Sequence, residues 1–374
     1  MNAEILSLEP GSPSTEAIQQ AAAILAQGGL VVFPTETVYG VGANAANPDA
    51  LARLRRVKQR ADSKPFTLHI GSRHDVDQYV PEVSGVARRF MDKAWPGPLS
   101  IVFPVADPQA APVVRDQIIS SADVLYHEGT IGIRCPDHPL ASRVLSEAGV
   151  PIVAASANPG GGRAPLDAEE AAAALGADVD LIIDGGRARY GKASTIVRVA
   201  EGGIELLREG VIDGRTVQKL SKTNFLLVCS GNTCRSPMAE GLLRKLLAER
   251  LGCSEDELAD RGYHIESAGT GAMGGSPPSE PAVQVLKKRG IDISGHRSSA
   301  LDATTIHRAD HLFTMTSNQL DMIAMLAGGY RGKASTLDGD RDVQDPIGGD
   351  ESLYADCADQ IERALKQRLE EIEL

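Results

Sequence analysis

The sequence predicts an α/β protein with two domains. Apolar, strand-like runs alternate with helical patterns along most of the chain. At 374 residues the chain is also longer than a single hydrophobic core usually allows. A polar stretch without periodicity, from Asp213 to Thr223, separates the two halves. We therefore predict one domain over residues 1–215, a linker over 216–223 and a second domain over 224–374.

Each half contains its own predicted strands, which are short and apolar. In the first half they are Leu30–Phe33, Phe66–Ile70, Leu99–Phe103, Ile131–Arg134, Ile152–Ala155 and Leu181–Ile183. In the second half they are Phe225–Val228, His264–Ser267 and His311–Met315. An alanine run at Ala171–Ala174 predicts a short helix, and a long helix is expected from Ser352 onward.

Composition argues against several classes of protein. The net charge is −12 and the sequence pI is about 5.2, which disfavours nucleic-acid binding through bulk positive charge. No apolar run approaches membrane-spanning length, and Met1–Thr15 lacks the basic start and apolar core of a signal peptide. We expect a cytoplasmic protein with no membrane partner.

The cysteines indicate a reducing compartment. They are too few and too scattered for a disulfide framework in a chain of this length. The five are Cys135, Cys229, Cys234, Cys253 and Cys357. No Cys/His cluster has the spacing of metal ligands, so no structural metal site is expected.

The most informative segment is Cys-Ser-Gly-Asn-Thr-Cys-Arg-Ser-Pro, residues 229–237, which follows an apolar strand and leads into a helix. The backbone N–H groups of such a loop can surround one tetrahedral anion, and the helix N-terminus adds its positive end. Ser236 suits the N-cap of that helix and Pro237 its first position. The predicted phosphate loop comprises Ser230, Gly231, Asn232, Thr233, Cys234 and Ser236.

Cys229 and Arg235 carry the chemistry predicted for this loop. Surroundings that favour an anion also favour the thiolate of Cys229, which is the nucleophilic form, and the Arg235 guanidinium can hold two phosphate oxygens. The alternative is a buried structural cysteine beside a structural arginine. The complete string of residues 229–237 favours the catalytic interpretation.

Residues 224–374 resemble a low-molecular-weight protein phosphatase. Besides the loop, the resemblance rests on Ser267-Ala-Gly-Thr270, Gly295-His-Arg-Ser298 and Asp345-Pro346. It implies a small, doubly wound parallel sheet flanked by helices, with the loop at the carboxyl end of the first strand.

The same resemblance assigns roles by position. Cys229 would attack phosphorus to give a phosphocysteine, while Arg235 would hold the equatorial oxygens. Asp345 would protonate the leaving group and then activate water. Asn232 and Ser236 would shape the loop and stabilise the thiolate. No cofactor is expected for this half.

Two positions bear on the substrate. Thr233 stands where tyrosine-directed relatives commonly carry a larger aliphatic residue, and Ile347-Gly-Gly349 stands where they place aromatic side chains. A phosphotyrosine ring would lack its stacking walls. This half looks more like the protein-arginine phosphatases, which implies a phosphoprotein substrate with phosphoarginine favoured over phosphotyrosine. Arsenate reduction would need further cysteines, and none lies between Cys253 and Cys357.

Cys234 has two interpretations of equal weight. It resembles the second loop cysteine that traps an oxidised nucleophile as a reversible disulfide. It could equally be a packing residue.

The first half contains a second set of motifs. They are Leu30-Val-Val-Phe-Pro-Thr-Glu-Thr-Val-Tyr-Gly-Val-Gly42, Val57-Lys-Gln-Arg60, Thr130-Ile-Gly-Ile-Arg-Cys-Pro136, Ala155-Ser-Ala-Asn158 and Ser194-Thr195. Each is weak alone, but their order along the chain makes them strong together. This half resembles the YrdC-like family, whose best-known members are threonylcarbamoyl-AMP synthases, and the resemblance implies a twisted mixed sheet with helices.

The YrdC-like resemblance implies L-threonine, bicarbonate and ATP as substrates, with Mg²⁺ expected beside ATP and no metal site of the protein's own. A triphosphate needs cations and a carboxylate needs an arginine. The residues implied for ATP are Lys58, Arg60, Lys64, Thr130, Ser156, Asn158 and Arg208. Those implied for threonine are Thr37, His69, Arg134 and Ser194. Either tRNA or tRNA-modification proteins are possible partners.

The sequence therefore predicts a bifunctional enzyme, a threonylcarbamoyl-AMP synthase fused to a cysteine-dependent protein phosphatase. One alternative is a protein-tyrosine phosphatase whose first domain only senses nucleotide or RNA. The other is a degenerate phospho-ligand module, which the joint presence of Cys229, Arg235 and Asp345 disfavours.

Overall fold

The computed structural model describes residues 3–8, 14–59, 65–200, 203–327, 333–339 and 341–372. The chain divides into two compact units, residues 1–221 and 222–374. Each unit has its own sheet and its own hydrophobic cores. Among the described residues, no helix combines the length and the apolar character needed to cross a membrane.

The first unit is built on one large mixed sheet. Its described strands are β1 (Glu4–Ser7), β2 (Val31–Phe33), β3 (Gly40–Asn44), β4 (Thr67–His69), β5 (Leu99–Pro104), β6 (Thr130–Arg134), β7 (Ile152–Ser156), β8 (Leu181–Asp184), β9 (Thr195–Ala200) and β10 (Gly203–Arg208). They lie in the order β1-β8-β2-β3-β7-β4-β6-β5-β9-β10. Strand β6 pairs in parallel with β4 and antiparallel with β5, which brings the ends of these three strands together.

Helices cover both faces of this sheet. They are α1 (Thr15–Ala26), α2 (Pro48–Lys58), α3 (Gly85–Ala94), α4 (Pro112–Arg115), α5 (Pro139–Glu147), α6 (Ala168–Leu175) and α7 (Gly214–Leu220), with 3-10 turns at Arg73–Gln78, Pro108–Ala110 and Ala122–Val124. Side chains of β2 alternate between the faces: Val31 and Phe33 pack in one core with α1 and α5, whereas Val32 packs in the other. Both faces are therefore apolar, as expected for a sheet buried between two helical layers.

The second unit is a small parallel sheet with helices on both sides. Its described strands are β11 (Thr223–Cys229), β12 (Tyr263–Gly269), β13 (His311–Thr314) and β14 (Ala334–Thr336), in the order β12-β11-β13-β14. Its helices are α8 (Arg235–Leu251), α9 (Glu280–Lys287), α10 (Ala303–Arg308), α11 (Ser317–Leu326) and α12 (Glu351–Glu371), with a 3-10 turn at Asp256–Leu258.

The chain changes direction across this sheet at β11. Phe225 and Leu227 pack under α8, α9 and α12, whereas Leu226 and Val228 pack under α10 and α11. Because β12 and β13 lie on opposite sides of β11, the carboxyl end of β11 opens into a crevice, the usual ligand site of an open α/β sheet. The predicted fold class is confirmed in both units.

The segment that polar composition predicted as a linker, 216–223, is largely helical. Helix α7 spans Gly214–Leu220, and the Asp213 side chain caps it by accepting the Thr216 N–H at 2.7 Å. Val217 is buried in the core of the first unit. Leu220, the last residue of the helix, packs against the same core. Two apolar side chains are enough to dock this helix, and they are too few to show a periodic pattern in the sequence.

Candidate active sites

The predicted phosphate loop connects β11 to α8. Cys229 is the last residue of β11, and α8 begins at Arg235. The loop rests against the end of β12, where the Thr270 N–H donates to the Cys229 carbonyl at 2.9 Å. A Cβ on Gly269 would lie 2.6 Å from the Ser230 carbonyl oxygen, so this close approach requires glycine.

The Cys229 thiol is buried and faces hydrogen-bonding groups of its own loop. Its Sγ lies 3.0 Å from Ser236 Oγ and accepts the Asn232 N–H at 3.2 Å. Hydrogen-bond donors around a sulfur atom favour nucleophilic chemistry at a cysteine.

Asn232 is the structural centre of the loop. Its φ is +54°, a left-handed conformation that asparagine tolerates better than most residues. Its Nδ2 donates to Ser236 Oγ at 2.8 Å and to Ser267 Oγ at 2.9 Å, and its Oδ1 accepts the Ser299 N–H at 2.7 Å. The side chain therefore ties the loop to both Ser267-Ala-Gly-Thr270 and the chain after Ser298.

Substitutions of Asn232 are expected to separate backbone from side-chain effects. Asn232→Gly keeps the left-handed backbone but removes the three side-chain bonds, and we expect turnover of p-nitrophenyl phosphate to fall about tenfold, the equivalent of one or two net hydrogen bonds. Asn232→Ala adds backbone strain of about 1–2 kcal/mol and should be slower and less heat-stable than the glycine variant. Full activity in the glycine variant would contradict a role for the side chain.

The position predicted for Ser236 needs correction. Helix α8 has Cys234 at its N-cap, without a side-chain cap, so Ser236 and Pro237 are its second and third residues. The Ser236 hydroxyl is directed to Cys229 and Asn232 instead of to a backbone N–H. Tertiary contacts thus use the hydroxyl that local preference would assign to capping.

Arg235 and Asp345 form an ion pair. Arg235 Nη2 donates to Asp345 Oδ2 at 2.5 Å, and its Nη1 donates to the Val343 carbonyl at 3.2 Å. The guanidinium is buried, whereas the carboxylate is 44% exposed. The fold therefore brings together two of the predicted catalytic residues from positions far apart in the chain, on the segments that begin α8 and precede α12.

A cavity of about 440 Å³ opens beside this ion pair. It is lined by Ser230, Arg235, Thr270, Thr316, Asn318, Gln319, Met322, Asp342, Val343, Gln344 and Asp345. Gln319, which sequence reasoning missed, is buried and donates from Nε2 to Ser230 Oγ at 3.1 Å while its Oε1 accepts the Met315 N–H at 3.0 Å. It fixes the first residue of the phosphate loop to the end of β13.

The remaining loop residues lie on the side of α9 and α12. The Thr233 carbonyl accepts the Ser279 N–H at 2.8 Å. Cys234 is buried, with its Sγ 3.5 Å from Tyr354 Oη. Cys229 and Cys234 are both free thiols.

A second cavity, of about 250 Å³, lies in the first unit. It contains six residues that the sequence predicted for ATP or threonine: Lys58, His69, Arg134, Ser156, Ser194 and Arg208. Thr37 adjoins it through a bond to Arg134. The cavity thus collects residues from several elements, namely α2, β4, β6, β7 and the two ends of the β9–β10 hairpin.

Arg134 ends β6 and is buried in an ion pair. Its Nη2 donates to Glu36 Oε1 at 2.8 Å and to Thr37 Oγ1 at 2.7 Å. Glu36 Oε2 accepts the Asp137 N–H at 3.1 Å. Within the described residues, the buried Nε of Arg134 has no partner. Sequence reasoning missed Glu36, although it stands inside the quoted Pro-Thr-Glu-Thr string.

His69 lies beside Arg134 in the parallel register of β4 and β6. Its Nδ1 is 3.1 Å from the Thr67 carbonyl, which only accepts, so Nδ1 carries the proton and Nε2 is left as an acceptor. Burial, reinforced by the Arg134 charge, lowers the pKa of His69 from 6.5 to about 3. The imidazole is therefore neutral near pH 7.

The lowered pKa of His69 predicts a loss of stability in acid. An unfolded histidine takes up a proton below its pKa of 6.5 and the folded one does not until about 3, so the first unit loses stability as the pH falls through this range. At pH 5 the loss relative to pH 7 is expected to be about 2 kcal/mol. Trp95, the single tryptophan of the chain, is buried in this unit and reports its urea unfolding by fluorescence.

His69→Asn is the control for that measurement, because asparagine offers a donor in place of Nδ1 but does not titrate. The variant should lose about 2 kcal/mol less than the parent chain between pH 7 and pH 5. Equal losses in the two proteins would show that His69 does not cause the acid sensitivity.

Lys58, the last residue of α2, also lines the cavity. Its Nζ donates to the Ser156 carbonyl at 2.7 Å and also to the Asn158 carbonyl. Asn158 Nδ2 in turn donates to the Pro159 and Gly162 carbonyls, both at 2.7 Å. The ammonium thus organises the loop after β7, with its charge held at the cavity wall.

Arg208 and Ser194 line the cavity as a bonded pair. Arg208 Nη2 donates to the Ser194 carbonyl at 2.8 Å and to its Oγ at 3.2 Å. Ser100 Oγ, 3.1 Å from Ser194 Oγ, was not predicted from the sequence. These partners are neutral, so the Arg208 charge remains available to an anion.

Four predicted ATP residues are not among those that line this cavity, and one of them, Asn158, adjoins it through its bond to Lys58. Thr130 stands at the opposite end of β6 from Arg134, with its Oγ1 donating to the His127 carbonyl at 2.9 Å. Thr130 and Arg134 are four positions apart along the strand, a distance of about 13 Å. Arg60 and Lys64 lie outside the described residues. Among the described residues, no group of His, Cys, Asp and Glu is arranged to hold a metal ion.

Comparison with known proteins places each unit in a family. Residues 23–210 match the Sua5/YciO/YrdC family model, described as telomere recombination, and residues 224–374 match that of the low molecular weight phosphotyrosine protein phosphatases. A threonylcarbamoyl-AMP synthase of Bacillus subtilis is 36% identical over 201 residues, which are 54% of this chain and 55% of that protein. The chain thus spans about half the length of such curated relatives.

Solved structures resemble the chain as well. A variant of Sua5 from Pyrococcus abyssi has a TM-score of 0.50 at 21% identity, covering 89% of this chain and 98% of that one, a likeness of fold alone. An arginine phosphatase, YwlE of Geobacillus stearothermophilus, is 36% identical with a TM-score of 0.35, covering 40% of this chain and 92% of that one. The chain belongs to the Sua5/YciO/YrdC family through its first unit, and its second unit is a low molecular weight phosphatase domain.

Proposed function

We propose that the first unit joins L-threonine, bicarbonate and ATP into threonylcarbamoyl-AMP with release of pyrophosphate. The observation that carries this proposal is the single cavity shared by Lys58, Arg134 and Arg208. These cations come from three different elements, α2, β6 and β10. Such an arrangement suits a site that must bind a carboxylate and a polyphosphate side by side. The B. subtilis relative, which bears the name of this activity, supports the assignment.

Arg134 is proposed to bind the threonine carboxylate. Its pairing with Glu36 and Thr37 fixes the guanidinium, and its unpartnered Nε is a donor that a ligand would satisfy. Neutral His69 offers an acceptor to the amino group of threonine. Ser194 completes the pocket.

The ATP side is proposed to comprise Lys58, Ser156, Asn158 and Arg208, with Mg²⁺ entering on the nucleotide. Arg60 and Lys64 stand shortly after Lys58 in the sequence and are proposed to extend the cationic clamp. The product would serve tRNA modification in the cytoplasm, with tRNA or its modifying proteins as partners.

L-threonine-dependent release of pyrophosphate from ATP in bicarbonate buffer tests the proposal. Arg60→Ala should abolish the release, and L-serine should replace L-threonine poorly. If the purified chain binds ATP yet shows no threonine-dependent turnover, the first unit is a nucleotide sensor instead.

We propose that the second unit hydrolyses phosphoproteins through a phosphocysteine. The observation that carries this proposal is the buried Cys229 thiol with its hydrogen bonds from the loop, beside the Arg235–Asp345 pair. Cys229 sulfur attacks phosphorus, Asp345 protonates the leaving group, and a water activated by Asp345 then releases phosphate. As a phosphoryl group binds, it must replace Asp345 as the partner of Arg235. This releases the Asp345 carboxyl group for the proton transfer to the leaving group.

Phosphoarginine is the proposed substrate in preference to phosphotyrosine. Within the described residues the cavity lining contains no aromatic side chain, so a tyrosine ring has nothing to stack on. Thr233 is small and polar where a larger aliphatic residue would favour a ring. Comparing both phosphopeptides in the parent chain and in Thr233→Ile tests the preference, and the same preference in both proteins would remove Thr233 from the argument.

A further inference from the structure

The charge balance of the phosphatase cavity is unusual for a protein that binds phosphate. Among the described residues that line it, one is a cation, Arg235, and two are carboxylates, Asp342 and Asp345. Arg235 is already neutralised by Asp345 at 2.5 Å. Asp342 therefore contributes a negative charge that none of the described lining residues compensates, in a space that must admit a phosphoryl anion.

Asp342 is held in place by the start of α11. Its Oδ1 accepts both the Ser317 N–H at 2.8 Å and the Ser317 hydroxyl at 3.2 Å. Within the part of the chain that the structure describes, its other oxygen, Oδ2, has no hydrogen-bond partner. Asp342 is exposed at the cavity wall, and Asn318 and Gln344 line the same cavity.

The charge of Asp342 acts differently on two kinds of leaving group. A phosphotyrosine brings only its anion and a neutral ring, so Asp342 would repel the first and offer nothing to the second. A phosphoarginine brings guanidinium N–H groups directly next to phosphorus. A fixed carboxylate accepts charge-assisted hydrogen bonds from such a group, and the amide oxygens can accept the remaining N–H donors.

We propose that Asp342 is a specificity-determining residue of the phosphatase site, binding the guanidinium of phosphoarginine through Oδ2. The inference rests on the proposed phosphatase function and adds to it the group that recognises the substrate. Asp345 protonates the leaving nitrogen, and Asp342 holds the guanidinium that carries it. Asp342 selects the substrate by charge.

Asp342→Asn tests the proposal, because asparagine keeps an oxygen for the Ser317 N–H but removes the charge. Asp350→Asn is the matched control. Asp350 also caps a helix, with its Oδ1 accepting the Leu353 N–H at 3.1 Å, and it does not line the cavity. Turnover of a phosphoarginine peptide and of p-nitrophenyl phosphate is measured in the intact chain for the parent and both variants.

Asp342→Asn should lower kcat/KM for the phosphoarginine peptide about tenfold, as expected for loss of one charge-assisted hydrogen bond. Turnover of p-nitrophenyl phosphate should stay the same or rise, because a negative charge near its dianion is gone. Asp350→Asn should change neither. A purely structural role of Asp342 would lower both activities together, and that result would overturn the proposal, as would unchanged phosphoarginine turnover.

Binding in the Cys229→Ser background keeps the test independent of turnover. Calorimetric titration with the phosphoarginine peptide should show a dissociation constant about tenfold higher after Asp342→Asn, whereas inorganic phosphate should bind as well or better. Equal weakening of both ligands would overturn the proposal. A parent chain that turns over neither substrate would refute the phosphatase function, while the titration would still decide whether Asp342 recognises a guanidinium.

Discussion

Cys229→Ser is expected to reduce phosphatase turnover by a factor on the order of 10⁴ or more, to the limit of detection. A serine hydroxyl in this loop is not ionised near neutral pH, so it cannot replace the thiolate as a nucleophile toward phosphorus. The surrounding donors, Asn232 N–H and Ser236 Oγ, remain able to hold an oxygen in place of sulfur. Hydrolysis of p-nitrophenyl phosphate by the intact chain measures the effect.

Cys253→Ser is the matched control, because Cys253 is a free cysteine of the same unit that follows α8, away from the loop. It should retain full turnover, and L-threonine-dependent pyrophosphate release should be unchanged in both variants. Measurable residual hydrolysis in Cys229→Ser, at more than a few per cent of the parent rate, would show that another group is the nucleophile.

Arg134→Met is expected to destabilise the first unit by about 3–5 kcal/mol, because it leaves the Glu36 carboxylate buried without its partner. It should also abolish threonine-dependent pyrophosphate release, since the carboxylate of threonine loses its cation. Urea unfolding followed by Trp95 fluorescence measures the first effect. Release of pyrophosphate, assayed at a temperature where the variant is still folded, measures the second.

The double variant Glu36→Gln with Arg134→Met separates stability from function. Removing both charges should recover most of the lost stability, since a paired removal leaves no uncompensated ion. Threonine-dependent turnover should remain absent. If the double variant regained turnover together with stability, Arg134 would have only a structural role.

The phosphatase loop was predictable because its chemistry is nearly continuous in sequence. Only five residues separate Cys229 from Arg235. An apolar strand precedes the loop and a long helix follows it. Asp345 was found only through its resemblance to a family position, since an Asp-Pro pair is common in turns. Its contact with Arg235 depends on how the chain before α12 returns to the sheet.

Partners that stabilise the sites were not predictable from local pattern. Glu36 stands far from Arg134 in the chain, and Gln319 far from Ser230, so only strand pairing and loop packing bring each pair together. Ser100 reaches Ser194 by the parallel register of β5 and β9. A polar side chain in a strand-like run gives no sign of which residue it will meet.

One central strand was not predicted from the sequence because of its glycines. β3, Gly40–Asn44, is buried throughout, yet glycine is depleted in strands and the run carries no alternation. A Cβ on Gly42 would lie 2.8 Å from the Phe33 ring, so the small residue is what lets β2 and β3 pack. Such a requirement is visible only once the neighbouring strand is in place.

The order of residues along the chain determined the two α/β units, most of their strands and the thiol-bearing loop, because these depend on hydrophobic period and on groups that are neighbours in sequence. The tertiary structure decided which charged residues form pairs, Arg134 with Glu36 and Arg235 with Asp345. It also placed Asp342 in the wall of the phosphatase cavity. Electrostatic energy depends on distance and burial, and neither quantity exists until the sheets have formed.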